Sequence, residues 1–531
     1  MTPPEQGDTN RRKLPIGIQS FRTIREEDFY YVDKTSHIRN LVEQGRFYFL
    51  SRPRRFGKSL LVDTLRSLFE GSEELFRGLD IHEHWDWSIK HPVVRLSFDG
   101  KYNQPEDVER SVLNQLALIE HGAGFGPGQT ADCGPEWLQN LLYHLHHATG
   151  QQVVVLVDEY DKPILDVLED PDLAKANRDY LRGFYGIIKG SADHVRFILV
   201  TGVSMFSKAS LFSGLNNLKD ISLDPRYGTV CGYTDNDLDT VFAPELPELD
   251  REEVKCWYNG YHWLGEEKVY NPFDILLLFD SRKFKPWWYE TGSPEFLFRL
   301  LVEKKVSPVE LENRITNEGL VAKFDVGDIG VDALLFQTGY LTIVAESWNG
   351  VETLYTLDYP NFEVCVSLNR GLLEYVTRRS LEAVDRGKEL IEFLSENDFD
   401  GFGQRLQAYL SGIPHQWYDS SRIERYEAHY AGMLYMVFRS MGLDLRVADS
   451  STHGRSDMVV FHRGQVFVLE FKMARGAQRE ADSELDTAIA QMRDQGYSEK
   501  YRDRGEPIYL VGLVFGGDER NLLGLRAELA G

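Results

Sequence analysis

Two short stretches of the chain carry residue types suited to phosphate chemistry. Residues 51–59 read SRPRRFGKS. A loop of the form G-x-x-x-x-G-K-[ST] wraps phosphate oxygens with backbone N–H groups at the start of a helix. Gly57 would let the backbone approach closely, and Lys58 would set a positive charge beside the β and γ phosphates. Ser59 would offer a hydroxyl to Mg²⁺. The stretch Arg54, Arg55, Phe56, Gly57, Lys58, Ser59 and Leu60 is thus the expected nucleotide-binding segment. The pattern's first glycine is missing: Arg52 stands there, followed by Pro53. Proline has its φ already set and can fix a different turn. Arg54 and Arg55 face either phosphate or solvent, and the sequence leaves both open.

A second piece supports the first. VVVLVDEYD (153–161) is an apolar run that delivers Asp158 and Glu159 at its end. Asp158 suits the Mg²⁺ shell, and Glu159 suits a group that polarises attacking water. Thr201, at the end of the apolar run VRFILVT, suits a polar sensor of the γ phosphate. Ligands of parallel α/β sheets bind at the carboxyl ends of strands, where all three pieces would meet.

The other stretch lies near the C-terminus. Asp457 is followed thirteen residues later by Glu470, with Lys472 two further on. Residues i and i+2 of a strand face one side, so Glu470 and Lys472 point together. A turn at residues 462–465 would bring Asp457 alongside. Two carboxylates can hold Mg²⁺, while the lysine activates water and offsets developing negative charge. Glu427, on a preceding helix, would add a carboxylate. The plain alternative is a solvated strand edge with one ion pair. His429 and His453 read as surface or packing residues, and Trp287, Trp288 and Tyr289 as core.

These residues need a scaffold, and hydrophobic spacing supplies one. FYFLS (47–51), VVRLSF (93–98), VVVLVDEYD and VRFILVTGVS (195–204) read as strands separated by helices, which is a mainly parallel α/β sheet. LLVDTLRSLFEG has helical spacing and follows the loop directly. Residues 14–235 form the expected first domain and 236–400 a mainly helical lid or linker region. From 405 to 531 the order is helix, hairpin, helix (482–495) and strand, again α/β.

With 531 residues, 42% of them hydrophobic, the chain is globular. Its net charge is −24, unevenly spread: from residue 401 on, 16 Lys and Arg face 18 Asp and Glu, against 43 and 65 before it. The C-terminal part therefore repels a polyanion far less than the rest. Four separated cysteines form no metal pattern and read as small buried hydrophobes in a reducing compartment. The start is polar and no apolar run reaches 18 residues, so a cytoplasmic protein with no membrane partner is expected.

YVDKT (31–35), RPRRFGKS (52–59), VDEYDKP (157–163), TGVSMFSKASLFSGLNNLKDIS (201–222), WYNGYHW (257–263), VYNPFDILLL (269–278) and FQTGYLTI (336–343) together resemble the AAA-ATPase-like family. The arginine-rich loop without its first glycine is that family's own form. The resemblance implies an ATP-binding P-loop module with Lys58, Ser59, Asp158 and Glu159 in the Walker roles, and it fixes no arginine finger; Arg226 and Arg182 are guesses. Many prokaryotic members carry a C-terminal PD-(D/E)XK nuclease domain. Asp457, Glu470 and Lys472 resemble its signature, with Ser456 where a proline often stands. Gln491 and Tyr497 resemble a flanking pair of some exonuclease-like branches. ATP, Mg²⁺ and DNA are the implied cofactors and partner, in defence or mobile-element biology; oligomers are left open. The alternative is a nucleotide-switched binding module whose nuclease fold does not cut, or a structural ATPase with both sites weak.

Overall fold

A computed structural model describes residues 11–125, 133–205, 217–288, 295–319, 324–326, 328–377, 382–411, 424–450, 455–474, 478–517 and 521–530. The chain divides into two compact units. One comprises residues 1–288 and 313–361, the other residues 289–312 and 362–531.

In the first unit, β1 (Phe47–Ser51), β2 (Val93–Ser97), β3 (Val153–Asp158), β4 (Val195–Gly202) and the two-residue β5 (Lys219–Asp220) form one sheet in the order β2-β3-β4-β1-β5. All its pairings are parallel. β3 is buried along its whole length, as its unbroken Val/Leu run requires of a strand covered on both faces. Helices α1 (Lys58–Phe69), α2 (Gly134–Thr149) and α3 (Pro171–Gly190) accompany the sheet. β4 lies between β1 and β3, so the strand ending in Thr201 and Gly202 separates the loop strand from the strand ending in Asp158. The middle stretch is mostly helical but also holds a three-stranded antiparallel sheet of β6 (Arg314–Asn317), β7 (Thr342–Trp348) and β8 (Thr353–Asp358).

The second unit holds helix α4 (Glu424–Ser440), then β9 (Asp444–Ser450), β10 (Arg455–His462) and β11 (Gln465–Ala474), helix α5 (Gln478–Asp494), β12 (Ile508–Gly516) and β13 (Leu522–Leu529). These five strands pair in chain order; β11–β12 is parallel and the other pairings are antiparallel. The β10–β11 hairpin turns through Arg463 and Gly464, both with positive φ (47° and 72°). That is the two-residue turn whose twist matches the strands, and it fixes the register. Val459, Val468, Ile489, Met492 and Leu510 pack one face of the sheet against α5.

Candidate functional site

The loop between β1 and α1 is built around Arg52. Its side chain is fully buried, and the guanidinium donates to the carbonyls of Ser51 (2.8 Å), Ser222 (2.8 Å) and Tyr227 (3.0 Å). It also stacks on Trp263 at 4.2 Å. Burial lowers its pKa to about 10, so it stays protonated at neutral pH. Arg52 therefore bolts the loop to the segments behind it, at the position where the usual pattern has glycine. Phe56 is buried edge-on against Tyr261 and Trp263, with ring centroids 4.7 and 5.2 Å away. Gly57 caps α1 with φ 92°, a conformation that costs any other residue strain.

Lys58 opens α1 and is buried. Its Nζ donates to the carbonyls of Arg52 (2.8 Å) and Pro53 (2.9 Å). Burial pushes its pKa below the ordinary lysine value, against the upward pull of Asp158 and Asp161. Asp158 ends β3 almost fully buried. Its Oδ1 accepts from Thr201 Oγ1 (2.6 Å) and from the Glu159 N–H (3.1 Å). Thr201 is itself buried, so its hydroxyl orients Asp158. Glu159 is partly exposed and holds a positive φ of 55°, a strained conformation of the kind that clusters at active sites. Burial, with the neighbouring Asp158 charge, raises its pKa above the usual carboxylate range. Asp161 takes the backbone N–H groups of Val203 and Ser204 and the Ser204 hydroxyl, tying the ends of β3 and β4 together. A Cβ on Gly202 would lie 2.4 Å from the Tyr160 ring, so this approach needs glycine.

A cavity of about 430 Å³ opens beside the loop. Arg54, Arg55, Gly57, Lys58, Ser59 and Glu159 line it, facing Tyr31, Lys34, Cys231 and Phe273. Phe56 and Leu60 also reach its wall. Arg55 stacks on Phe273 at 4.0 Å. The basic loop, the open α1 N-terminus and a buried ammonium fit an anionic phosphate chain, and the Ser59 hydroxyl is a hard oxygen of the kind Mg²⁺ takes; Asp158 and Thr201 are buried and do not line the cavity. The apolar wall fits a nucleoside.

In the second unit, Phe471 N–H donates to Asp457 Oδ2 at 2.8 Å. The β10–β11 ladder begins at the Met458–Leu469 pair, so Asp457 and Glu470 each lie one residue outside it, at the same end of the hairpin. Glu470 is buried, and its Oε1 accepts from Lys472 Nζ (3.0 Å) and Gln491 Nε2 (2.6 Å). Gln491 also reaches the Tyr497 hydroxyl at 3.3 Å. Two strands and α5 thus carry two carboxylates, an ammonium and an amide in one neighbourhood, and the carboxylate oxygens are the ligands a hard divalent cation takes.

Residues 15–212 match the family model described as a predicted AAA-ATPase, and residues 425–524 match the PD-(D/E)XK nuclease superfamily. The "Uncharacterized protein in vnfD 5'region" of Azotobacter chroococcum mcd 1 is 49% identical over 524 residues, covering 98% of this chain and 100% of that protein. The chain belongs to the AAA-ATPase-like family, with a C-terminal PD-(D/E)XK nuclease superfamily domain. The motifs singled out in the sequence, including those beyond residue 212, converge on the loop. Tyr31 and Lys34 of YVDKT line the cavity, Tyr261 and Trp263 of WYNGYHW back it, and Phe273 of VYNPFDILLL lies under Arg55. In FQTGYLTI, a Cβ on Gly339 would lie 2.9 Å from the Pro53 ring.

Each of these wall residues lies in one of the recognised motifs, but nothing local in the motif marks its role. Arg226 is exposed and ion-paired with Asp224, and Arg182 is exposed on α3. Glu427 lies within α4, but its side chain falls outside the described residues, as does that of His429. His453, Tyr289 and residues 206–216 are also outside them. Trp288 is buried against Tyr340, as expected of core. Of the cysteines, Cys231 and Cys365 are buried, whereas Cys133 is half-buried and Cys256 exposed, contrary to expectation. No described helix is long and apolar enough to cross a membrane.

Proposed function

We propose that the N-terminal unit binds and hydrolyses ATP and that the C-terminal domain is a Mg²⁺-dependent nuclease acting on DNA in the cytoplasm, in defence or mobile-element biology. The observation that carries the reading is the 430 Å³ cavity in which Lys58, Ser59 and Glu159 meet around one loop. The phosphates would take the loop N–H groups and draw Lys58 away from the Arg52 and Pro53 carbonyls. Glu159 would accept the proton of the attacking water, and Asp158, its Oδ1 held by Thr201, would support the metal through its other oxygen. Bound Mg²⁺ would neutralise phosphate charge at both sites.

In the nuclease domain, Asp457 and Glu470 would be the metal carboxylates, with Glu427 as a further candidate. Gln491 would hold Glu470 in place, and Lys472 would activate water and offset charge on the scissile phosphate. A second reading is a nuclease fold that grips without cutting. The burial of Glu470, with one oxygen already engaged by Lys472 and Gln491, favours it. Phosphate release from Mg²⁺-ATP, run beside incubation with linear, circular and single-stranded DNA with and without ATP, separates the readings. Cleavage supports the nuclease; hydrolysis without any cleavage supports the gripping module.

A further inference from the structure

At the opposite end of the first sheet from Asp158 and Thr201, three histidines converge. His146 and His147 lie in the last turn of α2, and His194 immediately precedes β4. One ligand atom from each lies within 4.8 Å of the others. The Nδ1 atoms of His146 and His194 are 2.9 Å apart. His147 Nδ1 is 2.8 Å from the Tyr143 carbonyl, and a carbonyl only accepts, so this nitrogen carries the proton and Nε2 keeps a bare lone pair. A second nitrogen that donates to a carbonyl is the usual back-bond of a metal-ligating imidazole. Tyr143 stacks on the His147 ring, with centroids 3.9 Å apart, and restricts its rotation.

We propose that His146, His147 and His194 form a binding site for a borderline divalent cation of the Zn²⁺, Ni²⁺ and Cu²⁺ class. Neutral imidazole prefers these ions to Mg²⁺. Metal–nitrogen bonds of about 2.0–2.1 Å in a tetrahedral centre space the nitrogens about 3.3 Å apart, within reach of small ring rotations from the observed positions. The hydrogen-bonded pair needs no net loss of a proton to ligate. The ring that donates through Nδ1 shifts that proton to its Nε2, and both facing lone pairs are then available. The site lies at the C-terminal end of α2, where the helix dipole is negative and favours a cation. A fourth position would remain for water.

β3 runs from Val153, at this end of the sheet, to Asp158 at the other, a span of about 17 Å at about 3.3 Å per residue. The histidine site is thus separate from the Mg²⁺ proposed for ATP. Its effect would be to clip the end of α2 to the entry of β4, with Val153 and Val195 paired beside it.

The test uses the full chain with any affinity tag removed and excess Mg²⁺ present to fill hard-oxygen sites. Zn²⁺ affinity is measured against a chromophoric chelator, and Co²⁺ is added for its visible absorption. The wild type should take one equivalent of Zn²⁺, show a tetrahedral Co²⁺ band, and melt at a higher temperature with Zn²⁺. His147→Ala and His194→Ala should each weaken binding about tenfold or more and lose both the band and the thermal shift. His121→Ala, an exposed histidine elsewhere, should behave as wild type. Circular dichroism of each variant confirms folding. Absence of stoichiometric Zn²⁺ binding in the wild type overturns the proposal, and so does unchanged binding in folded His147→Ala and His194→Ala.

Discussion

The proposed ATP binding and turnover should each rest on single residues of the loop and of the end of β3. Lys58→Ala should abolish tight ATP binding in calorimetry, because it removes the ammonium that α1 carries at its first residue. Unchanged affinity would remove the loop from the account. Glu159→Gln should keep ATP binding and slow phosphate release about a hundredfold or more, the usual weight of a positioned base. Glu159 also predicts a pH dependence. Its pKa is raised by burial and by Asp158, and the proposed base must be ionised. As pH falls, Glu159 takes up its proton earlier than an ordinary carboxylate. The acid limb of kcat/KM for ATP hydrolysis should therefore lie above the ordinary glutamate range and disappear in Glu159→Gln. An acid limb that persists in the variant would assign the titration to another group.

At the level of elements, the sheet was legible where strands are buried and apolar. β1 to β4 were read within a residue or so of one end, and the functional pieces at their carboxyl ends came with them. β5 is only two residues long and carries no pattern. β7 was missed because five of its seven residues are exposed, and β13 because Gly524, Arg526 and Glu528 interrupt a half-exposed strand. Asp457, Glu470 and Lys472 were legible because hairpin geometry and period two place them without tertiary knowledge. Gln491 came only from family resemblance, since its contact with Glu470 crosses from helix to sheet.

Arg52 could not be read locally at all: its partners Ser222, Tyr227 and Trp263 come from far along the chain. Arg52→Ala leaves buried carbonyls without their donor. It should destabilise the first unit by about 3 kcal/mol or more, read as a lower denaturant midpoint. Arg52→Lys should recover little, because an ammonium cannot reproduce the planar fork over Trp263. Wild-type stability in Arg52→Ala would show that the bolt contributes nothing. The three histidines lay unnoticed for a related reason, since their joining depends on how α2 and β4 enter the sheet.

At the scale of the molecule, the two sites lie in different compact units, and each should lose its chemistry separately. Asp457→Ala should lose metal binding and cleavage together. Lys472→Ala should still bind metal and fail to cut, since water activation and charge compensation are gone. Both should bind ATP as the wild type does; a joint loss would mean that the variants disturb folding rather than the site.

DNA cleavage with Mg²⁺, with and without ATP, by wild-type protein and Glu470→Ala tests the proposed nuclease most directly. Cleavage by the wild type and none by Glu470→Ala is expected, with ATP affinity equal in the two. Wild-type protein that cuts no DNA under any nucleotide condition would contradict it, as would a Glu470→Ala variant that cuts equally well.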